Sequence, residues 1–187
     1  LLKTATQQEP MKTFGMVSVA AGEGLNALFK DLMVDHVIQG GQTMNPSAND
    51  IAQAIDKVNA QNVFVFPNNK NIILAAEQAQ SLTNKKVIVI PTKSIPEGIS
   101  ACLAFNDEAS VEENTEAMTE SIKNVKSGSV TYAVRDTHVD GFDLSVGEII
   151  GLDNKAILSK GSQVSPTVED LVSKLVDENT VNISLFY

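Results

Sequence analysis

The sequence predicts an α/β protein in which a lobe with a parallel sheet is followed by a smaller α+β lobe. Four short apolar runs alternate with amphipathic segments in the first part of the chain, at residues 16–20, 34–38, 63–66 and 87–90. Strands and helices that alternate at this spacing are typical of a parallel sheet. After Phe105 the chain changes to one acid-rich helix and a series of short strands, which is typical of an α+β arrangement.

The same changes of pattern divide the 187 residues into three stretches. Residues 1–13 have no clear hydrophobic period and are predicted to be a linker. Residues 14–105 form the α/β lobe, and residues 106–187 form the α+β lobe. Residues 182–187 are predicted to be a closing strand that no helix covers, so we expect native sequence to continue and the second lobe to be truncated.

Each predicted strand of the first lobe leads into a helix. The stretch 14–20 is apolar enough to be a strand that is buried on both faces. The first helix follows it and presents one apolar face, formed by Leu25, Leu28, Phe29 and Leu32. The second helix begins at Ser47, whose hydroxyl can accept a hydrogen bond from the amide near Asp50.

The third and fourth helices also begin with polar residues that can cap them. Asn69 or Asn71 can cap the third helix, and Ser94, followed three residues later by Glu97, has the spacing of a capping box. Pro96 is compatible with a first helical turn. Capping explains these polar residues without any ligand, and ligand binding remains the alternative.

The second lobe begins with a polar connection and an acid-rich helix over residues 111–125. Strands are then predicted at residues 130–135 and 146–152, with Asp140-Gly141 as a turn between them. A short strand at residues 156–159 completes a hairpin, and a helix follows Ser165-Pro166-Thr167.

Composition excludes several classes of function. The chain has 14 basic and 23 acidic residues and a formal charge of -9, which opposes binding to nucleic acid and to anionic membranes. Excess acid either keeps the protein soluble or attracts a basic partner. No apolar stretch approaches the roughly 20 residues of a membrane span, and no signal peptide is visible, so the expected compartment is the cytoplasm.

The sequence lacks the residue sets of common catalytic and metal sites. Gly22-Glu23-Gly24 follows a strand, but neither a dinucleotide fingerprint nor a phosphate-binding loop is completed around it. His36 and His138 have no metal-ligand spacing, and Cys102 is predicted to be a buried, inert thiol. We therefore predict no catalytic residue, no metal ligand and no cofactor in this chain.

Polar residues at the predicted carboxyl ends of the strands form the candidate binding site. In parallel sheets those ends share one edge, where ligands and partners bind. The candidates in this lobe are Thr43, Asn45, Ser47, Asn68, Asn69 and Thr92. Arg135 and Asp136, from the densest ionisable cluster, are added as partner-binding candidates, although a strand end also explains their charge.

Five segments taken in order resemble the C-terminal region of the A subunit of bacterial fatty acid kinase, a dihydroxyacetone-kinase-like protein. They lie at residues 42–47, 66–71, 89–98, 132–137 and 147–152. The resemblance covers nearly the whole chain from Phe14 onward. It implies a DegV-like arrangement, with an α/β lobe of the EDD type followed by a smaller α+β lobe.

The resemblance also implies a division of labour. A separate N-terminal domain, absent from this chain, would bind ATP and magnesium and transfer the phosphoryl group. A DegV-like B subunit would present the fatty acid for phospholipid synthesis. DegV-like binders hold the carboxylate with hydroxyls from two loops; here the first loop keeps Thr43, Pro46 and Ser47, but the second loop has lost its serines.

Three hypotheses of function follow. The first is a non-catalytic domain that docks the fatty-acid-binding B subunit, with homodimerisation as another form of association. The second is a DegV-like module that binds a fatty acid or a small carboxylate through the candidate loops. The third, an independent enzyme of the dihydroxyacetone-kinase type, lacks residues for ATP and magnesium in this chain.

Overall fold

A computed structural model describes residues 10–41 and 44–187. The chain divides into two compact units, the first ending at Val125 and the second beginning at Lys126. In its described part, the first unit contains four strands: β1 (Lys12–Ala20), β2 (His36–Gln39), β3 (Ala60–Phe66) and β4 (Lys86–Val89). Its helices are α1 (Glu23–Asp31), α2 (Ala48–Lys57), α3 (Ile73–Ala79), α4 (Ile95–Leu103) and α5 (Val111–Lys123).

The four strands form one parallel sheet in the order β2-β1-β3-β4. This arrangement confirms the predicted α/β class. Strand β1 begins at Lys12, so it extends into the stretch 1–13 that the sequence predicts to be a linker. Residues 1–9 of that stretch lie outside the described part of the chain.

Alternate residues of the central strands supply two separate hydrophobic cores. Val17 and Val65 face the core formed with α2 and α3, whereas Met16 and Phe64 face the core shared with α1, α4 and α5. Side chains of a strand alternate between the faces of a sheet, and a sheet covered on both faces is apolar on both. Ser18 is therefore a polar residue on the second of these faces, and it is fully buried.

Helix α5 belongs to the first unit, whereas the sequence predicts it in the second lobe. Met118 is fully buried in the core that α1 and α4 share. The buried Asn114 side chain accepts a hydrogen bond from the Asn106 amide and donates one to the Asn106 carbonyl, each at 2.8 Å. These contacts fix the 104–110 connection against α5, so the boundary lies after Val125 and not after Phe105.

Serine side chains cap the starts of α2, α4 and α5, whereas α1 and α3 begin without a side-chain cap. The predicted caps at Ser47 and Ser94 are confirmed, because their hydroxyls accept hydrogen bonds from the Asp50 and Glu97 backbone amides. The capping box indicated by the spacing of Ser94 and Glu97 is not formed, because the Glu97 carboxylate accepts from the Lys93 amide instead of the Ser94 amide. Helix α3 has no side-chain cap, so the predicted role of Asn69 or Asn71 is wrong. The side-chain Nδ2 of Asn69 instead donates to the Gly41 carbonyl, 2.7 Å away, and so links the loop after β3 to the loop after β2.

The second unit combines a three-stranded antiparallel sheet, a two-stranded hairpin and one helix. Its strands are β5 (Gly128–Tyr132), β6 (Thr137–Val139), β7 (Phe142–Leu144), β8 (Ile149–Asp153) and β9 (Ile157–Gly161). The sheet order is β5-β8-β9, and β6 pairs with β7 around the predicted Asp140-Gly141 turn. Helix α6 (Val164–Leu175) packs on the sheet through Leu171.

The predicted closing strand at residues 182–187 is wrong for this structure. These residues form no regular structure and are exposed, including Ile183 and Leu185. The apolar alternation of the segment fits a strand, but a strand forms only where a second strand pairs with it.

Candidate functional site at the carboxyl edge of the parallel sheet

The strand order places a crevice between the carboxyl ends of β1 and β3. From β1 the chain moves outward to β2 and then crosses to β3 on the other side of β1. Such a switch point is where open α/β sheets bind their ligands. The loop after β3 reaches the other loops here, which confirms the prediction that the strand-end loops share one edge.

Asn68 fills this crevice with its own carboxamide. Its Nδ2 donates to Ser18 Oγ at 2.8 Å and to the Val19 carbonyl at 2.9 Å. The Thr92 hydroxyl accepts a hydrogen bond from the backbone amide of Asn68 and donates one to Asn68 Oδ1, each at 2.9 Å. The Asn68 side chain thereby joins β1, the loop after β3 and the loop after β4.

The residues of this network are almost completely removed from solvent. Ser18 and Thr92 are 0% exposed, and Asn68 is 7% exposed. Asn68 has a φ of 55°, a left-handed conformation that asparagine tolerates better than most residues. Buried polar atoms are costly unless they are paired, so the mutual hydrogen bonds stabilise this arrangement.

The first candidate loop contributes little to the crevice in the described structure. Ser47 uses its hydroxyl to cap α2, where it accepts from the Asp50 amide at 3.2 Å, and the Asp50 carboxylate accepts from the Ser47 amide at 2.9 Å. The Ser47 hydroxyl also donates to Asp50 Oδ2 at 2.6 Å, and this hydrogen bond, together with the one from the Ser47 backbone amide, lowers the pKa of Asp50. Asn45 is exposed, and Thr43 lies outside the described residues.

The described crevice is small. It encloses about 50 Å³ and is lined mainly by Val19, Leu25, Pro67 and Ile95, with Asn68 at one side. Pockets for drug-sized ligands typically have volumes of about 300–1,000 Å³. The described cleft therefore has room for one or two water-sized groups and not for an acyl chain.

Helix α4 closes the crevice on the side of β4. The Glu97 carboxylate accepts from the Lys93 amide at 2.6 Å, and the Ser94 hydroxyl accepts from the Glu97 amide at 3.4 Å. Gly98 lies directly against Asn68, since a Cβ built on Gly98 would be 2.1 Å from Asn68 Oδ1. Glycine at this position makes room for the carboxamide.

Arg135 and Asp136 lie in the second unit and have different surroundings. Asp136 Oδ1 accepts a hydrogen bond from the Val146 amide at 2.7 Å, which ties its segment to the loop before β8. Arg135, the only arginine in the sequence, has no hydrogen-bond or ion-pair partner among the described residues. Beside it, Tyr132 is 61% exposed and Val134 is 87% exposed.

The solvent-facing side of α5 is acidic. Its carboxylates are Glu112, Glu113, Glu116 and Glu120, all of them exposed. Hydrogen bonds from the Ser110 amide and hydroxyl lower the pKa of Glu113, so this group stays ionised below its ordinary titration range. Lys86 and Lys123 pair with Glu112 and Glu120 but leave those side chains 78% and 63% exposed. We call these four carboxylates the acidic face of α5.

Burial shifts the pKa of two other titratable groups in the described structure. Burial raises the pKa of Cys102 to about 12, which agrees with the predicted inert thiol. Burial, assisted by the positive charges of Lys57 and Lys30, lowers the pKa of His36.

Among residues 10–41 and 44–187, no three His, Cys, Asp or Glu side chains are grouped so that they could hold a metal ion. None of the helices in those ranges is long and apolar enough to cross a membrane.

Sequence reasoning missed two buried residues that organise the first unit, Ser18 and Asn114. Ser18 is a single polar residue within the apolar run of β1, and that interruption is a usable signal for a buried hydrogen bond. Asn114 lies among acidic neighbours on α5 and carries no such signal. Its partner Asn106 becomes apparent only when the connection folds back on the helix.

Comparison with known families places the chain in one of them. Residues 15–187 match the family of FakA-like C-terminal domains, which is described as the C-terminal part of proteins like the A subunit of fatty acid kinase. Protein YloV of Bacillus subtilis (strain 168) is 43% identical over 187 residues, which are 99% of this chain and 34% of that protein. An uncharacterized protein of Staphylococcus aureus (strain USA300) is 43% identical over 165 residues, 88% of this chain and 30% of that protein.

The chain thus spans about a third of the length of these curated relatives. A solved structure with a similar fold is that of the DegV family protein Cg2579 from Corynebacterium glutamicum. The TM-score is 0.59 at 16% sequence identity, and the match covers 87% of this chain and 73% of that chain. At this identity the likeness establishes the fold, which confirms the predicted DegV-like arrangement.

Proposed function

Because the chain belongs to the family of FakA-like C-terminal domains, we propose that it is a non-catalytic module that docks the fatty-acid-binding B subunit. In this proposal a separate domain of the parent protein binds ATP and magnesium and phosphorylates the carboxylate of the fatty acid. The B subunit presents that fatty acid, and the acyl phosphate serves phospholipid synthesis. The task of this chain is to hold the loaded partner near the kinase domain.

The acidic face of α5 is the observation that carries the docking proposal. Glu112, Glu116 and Glu120 follow one another at helical spacing on the exposed side of α5. The net charge of -9 adds a long-range attraction for a basic partner. Complementary charges at the rim of an interface accelerate association and make it sensitive to salt.

The closed crevice favours docking over lipid binding. The candidate loops after β3 and β4 use Asn68 and Thr92 to bond to each other and to β1. The volume left in the described cleft is about 50 Å³. A fatty acid or small-carboxylate module, the second hypothesis, would need an open cavity with free hydroxyls at this edge.

Arg135 is a second candidate contact for a partner. Tyrosine and arginine are enriched among the residues that dominate binding energy at protein interfaces. Here Arg135, which has no hydrogen-bond or ion-pair partner among the described residues, lies between the exposed Val134 and Asp136. We assign the contact to Arg135 and a supporting role to Asp136, whose carboxylate already holds the Val146 amide.

The docking proposal is tested by titrating this chain, in low and in high salt, with the B subunit loaded with fatty acid. The informative variant reverses three charges together: Glu112→Lys, Glu116→Lys and Glu120→Lys. Glu113 is left unchanged because it takes part in the cap of α5. At low salt we expect the variant to bind about tenfold more weakly or worse, and we expect high salt to reduce that difference.

The matched control reverses three exposed carboxylates elsewhere: Glu23→Lys, Glu77→Lys and Glu169→Lys. Both variants have the same net charge, so a general effect of charge would weaken them equally. Equal weakening would therefore contradict a docking role for α5. Absence of any association between the parent chain and the loaded B subunit would overturn the docking function itself.

A further inference from the structure

We propose that the switch-point crevice is a binding site for a primary carboxamide and that the chain fills it with its own Asn68. The site consists of Ser18, the Val19 carbonyl and Thr92, with Gly98 beneath the carboxamide. Asn68 acts there as a built-in ligand. This inference does not depend on the docking proposal, and binding of the B subunit is not used to test it.

The hydrogen-bonding polarity of the site identifies the group that fits it. The Val19 carbonyl can only accept, so the atom 2.9 Å from it has to be a donor. The same atom donates to Ser18 Oγ at 2.8 Å. A group with two donor hydrogens on one nitrogen satisfies both neighbours.

Thr92 fixes the other end of the group. Its Oγ1 accepts from the Asn68 backbone amide at 2.9 Å, which leaves its own hydrogen free to donate. That hydrogen is directed to Asn68 Oδ1, also at 2.9 Å. The site therefore requires an acceptor next to Thr92 and a double donor next to Val19, and a planar primary carboxamide has both.

A carboxylate has the same shape but the wrong polarity. Its second oxygen would lie where Nδ2 now lies, close to the Val19 carbonyl oxygen, and it has no hydrogen to donate. The site is buried, so water would not screen the repulsion between these two oxygens. The same polarity that retains Asn68 thus excludes the carboxylate of a fatty acid from this position.

Replacement of Asn68 by aspartate tests the hydrogen-bonding polarity of the site. In Asn68→Asp the side chain keeps its shape but loses the double donor, so at pH 7 its thermal unfolding midpoint should fall by about 5 °C or more relative to the parent. Protonation would restore one donor. Since the buried site disfavours the ionised carboxyl group, the pKa of that group would be higher in the folded chain than in the unfolded chain. The deficit relative to the parent, measured at each pH, should therefore shrink as the pH falls from neutral towards about 4, and it should change little below that.

The matched control is Asn69→Asp. Asn69 also donates to a backbone carbonyl, that of Gly41, but its side chain is only partly buried. We expect a smaller deficit with weak dependence on pH. A deficit of Asn68→Asp that is no larger than that of Asn69→Asp, or that does not change with pH, would overturn the assignment.

A second test supplies the carboxamide from solution. Asn68→Ala removes the built-in group, and acetamide should then raise the unfolding midpoint of this variant by a few degrees more than it raises that of the parent. Acetate at equal concentration should not produce this additional rise. Equal effects of acetamide and acetate on the variant, or equal effects of acetamide on variant and parent, would contradict a carboxamide site. If Asn68→Ala does not fold, the pH series on Asn68→Asp decides the question.

Discussion

Gly98 is the residue whose substitution tests the closed crevice most directly. A Cβ at this position would be 2.1 Å from Asn68 Oδ1 and 2.8 Å from Asn68 Cγ. The carboxamide would have to leave the site and give up its hydrogen bonds with Ser18, Val19 and Thr92. We expect Gly98→Ala to lower the free energy of unfolding by about 2 kcal/mol or more, because buried polar groups lose their partners.

The control for this prediction is Gly24→Ala in α1. Nothing lies within 4 Å of a Cβ built on Gly24. Alanine in a helix is favoured over glycine by up to about 1 kcal/mol, so this variant should be as stable as the parent or more so. Urea unfolding of both variants checks the pair. A Gly98→Ala protein as stable as Gly24→Ala would show that the carboxamide is not confined by α4.

The role of a single residue can be predicted from the sequence when it depends on residues a few positions away in the chain. The cap at Ser47 involves Asp50, three residues along the chain, and the spacing alone predicts it. The sequence also singles out Asn68 and Thr92 as strand-end residues, but the partners of Asn68 on β1 lie in another part of the chain. Hence the sequence predicts that Asn68 and Thr92 lie at the strand ends but does not predict the hydrogen bonds by which Asn68 fills the crevice.

At the scale of elements, α5 has a complete capping box at its start. The Ser110 hydroxyl accepts from the Glu113 amide at 3.2 Å, and the Glu113 carboxylate accepts from the Ser110 amide at 2.8 Å. We expect Ser110→Ala to lower the free energy of unfolding by about 1 kcal/mol, the usual effect of losing a helix cap. Urea unfolding monitored by circular dichroism measures it.

Ser94→Ala provides the comparison for this prediction. The Ser94 hydroxyl is 3.4 Å from the Glu97 amide, and the Glu97 carboxylate is directed to Lys93 instead of Ser94. This cap lacks the reciprocal bond, so we expect a smaller loss than for Ser110→Ala. A larger loss for Ser94→Ala would mean that reciprocal capping does not determine the stability of α5.

Elements that depend on distant pairing are harder to predict. The central strands β1 and β3 are recognisable because their apolar runs are long enough to be buried on both faces. Residues 182–187 have a similarly apolar pattern but no strand to pair with in this structure. A hydrophobic pattern shows that a segment can be a strand, and only the presence of a partner edge decides whether it is one.

At the scale of the whole molecule, the unit boundary is the largest difference between sequence and structure. The change of composition after Phe105 indicates that a new lobe begins there. Met118 and Ile122, however, pack into the core of the first unit, and the Asn106–Asn114 hydrogen bonds hold the intervening connection. Most residues of α5 are polar or acidic, so the composition of the segment does not indicate that Met118 and Ile122 determine where the helix packs.

The boundary after Val125 predicts how fragments of the chain behave. A fragment of residues 1–125 retains α5 and should unfold in one cooperative transition. A fragment of residues 1–105 loses Met118, which is fully buried beside Cys102 in the second core. We expect this shorter fragment to have fluctuating packing and to bind the dye ANS.

Cys102 provides a second readout of the same prediction. Burial raises the pKa of its thiol to about 12, so a thiol reagent at pH 8 should react slowly with the parent chain and with residues 1–125. In residues 1–105 the cover supplied by α5 is gone, and labelling should be at least about tenfold faster, because the thiol regains an ordinary pKa in water. Equal protection of Cys102 in both fragments would show that α5 is dispensable for this core and that the boundary after Phe105 is the better description.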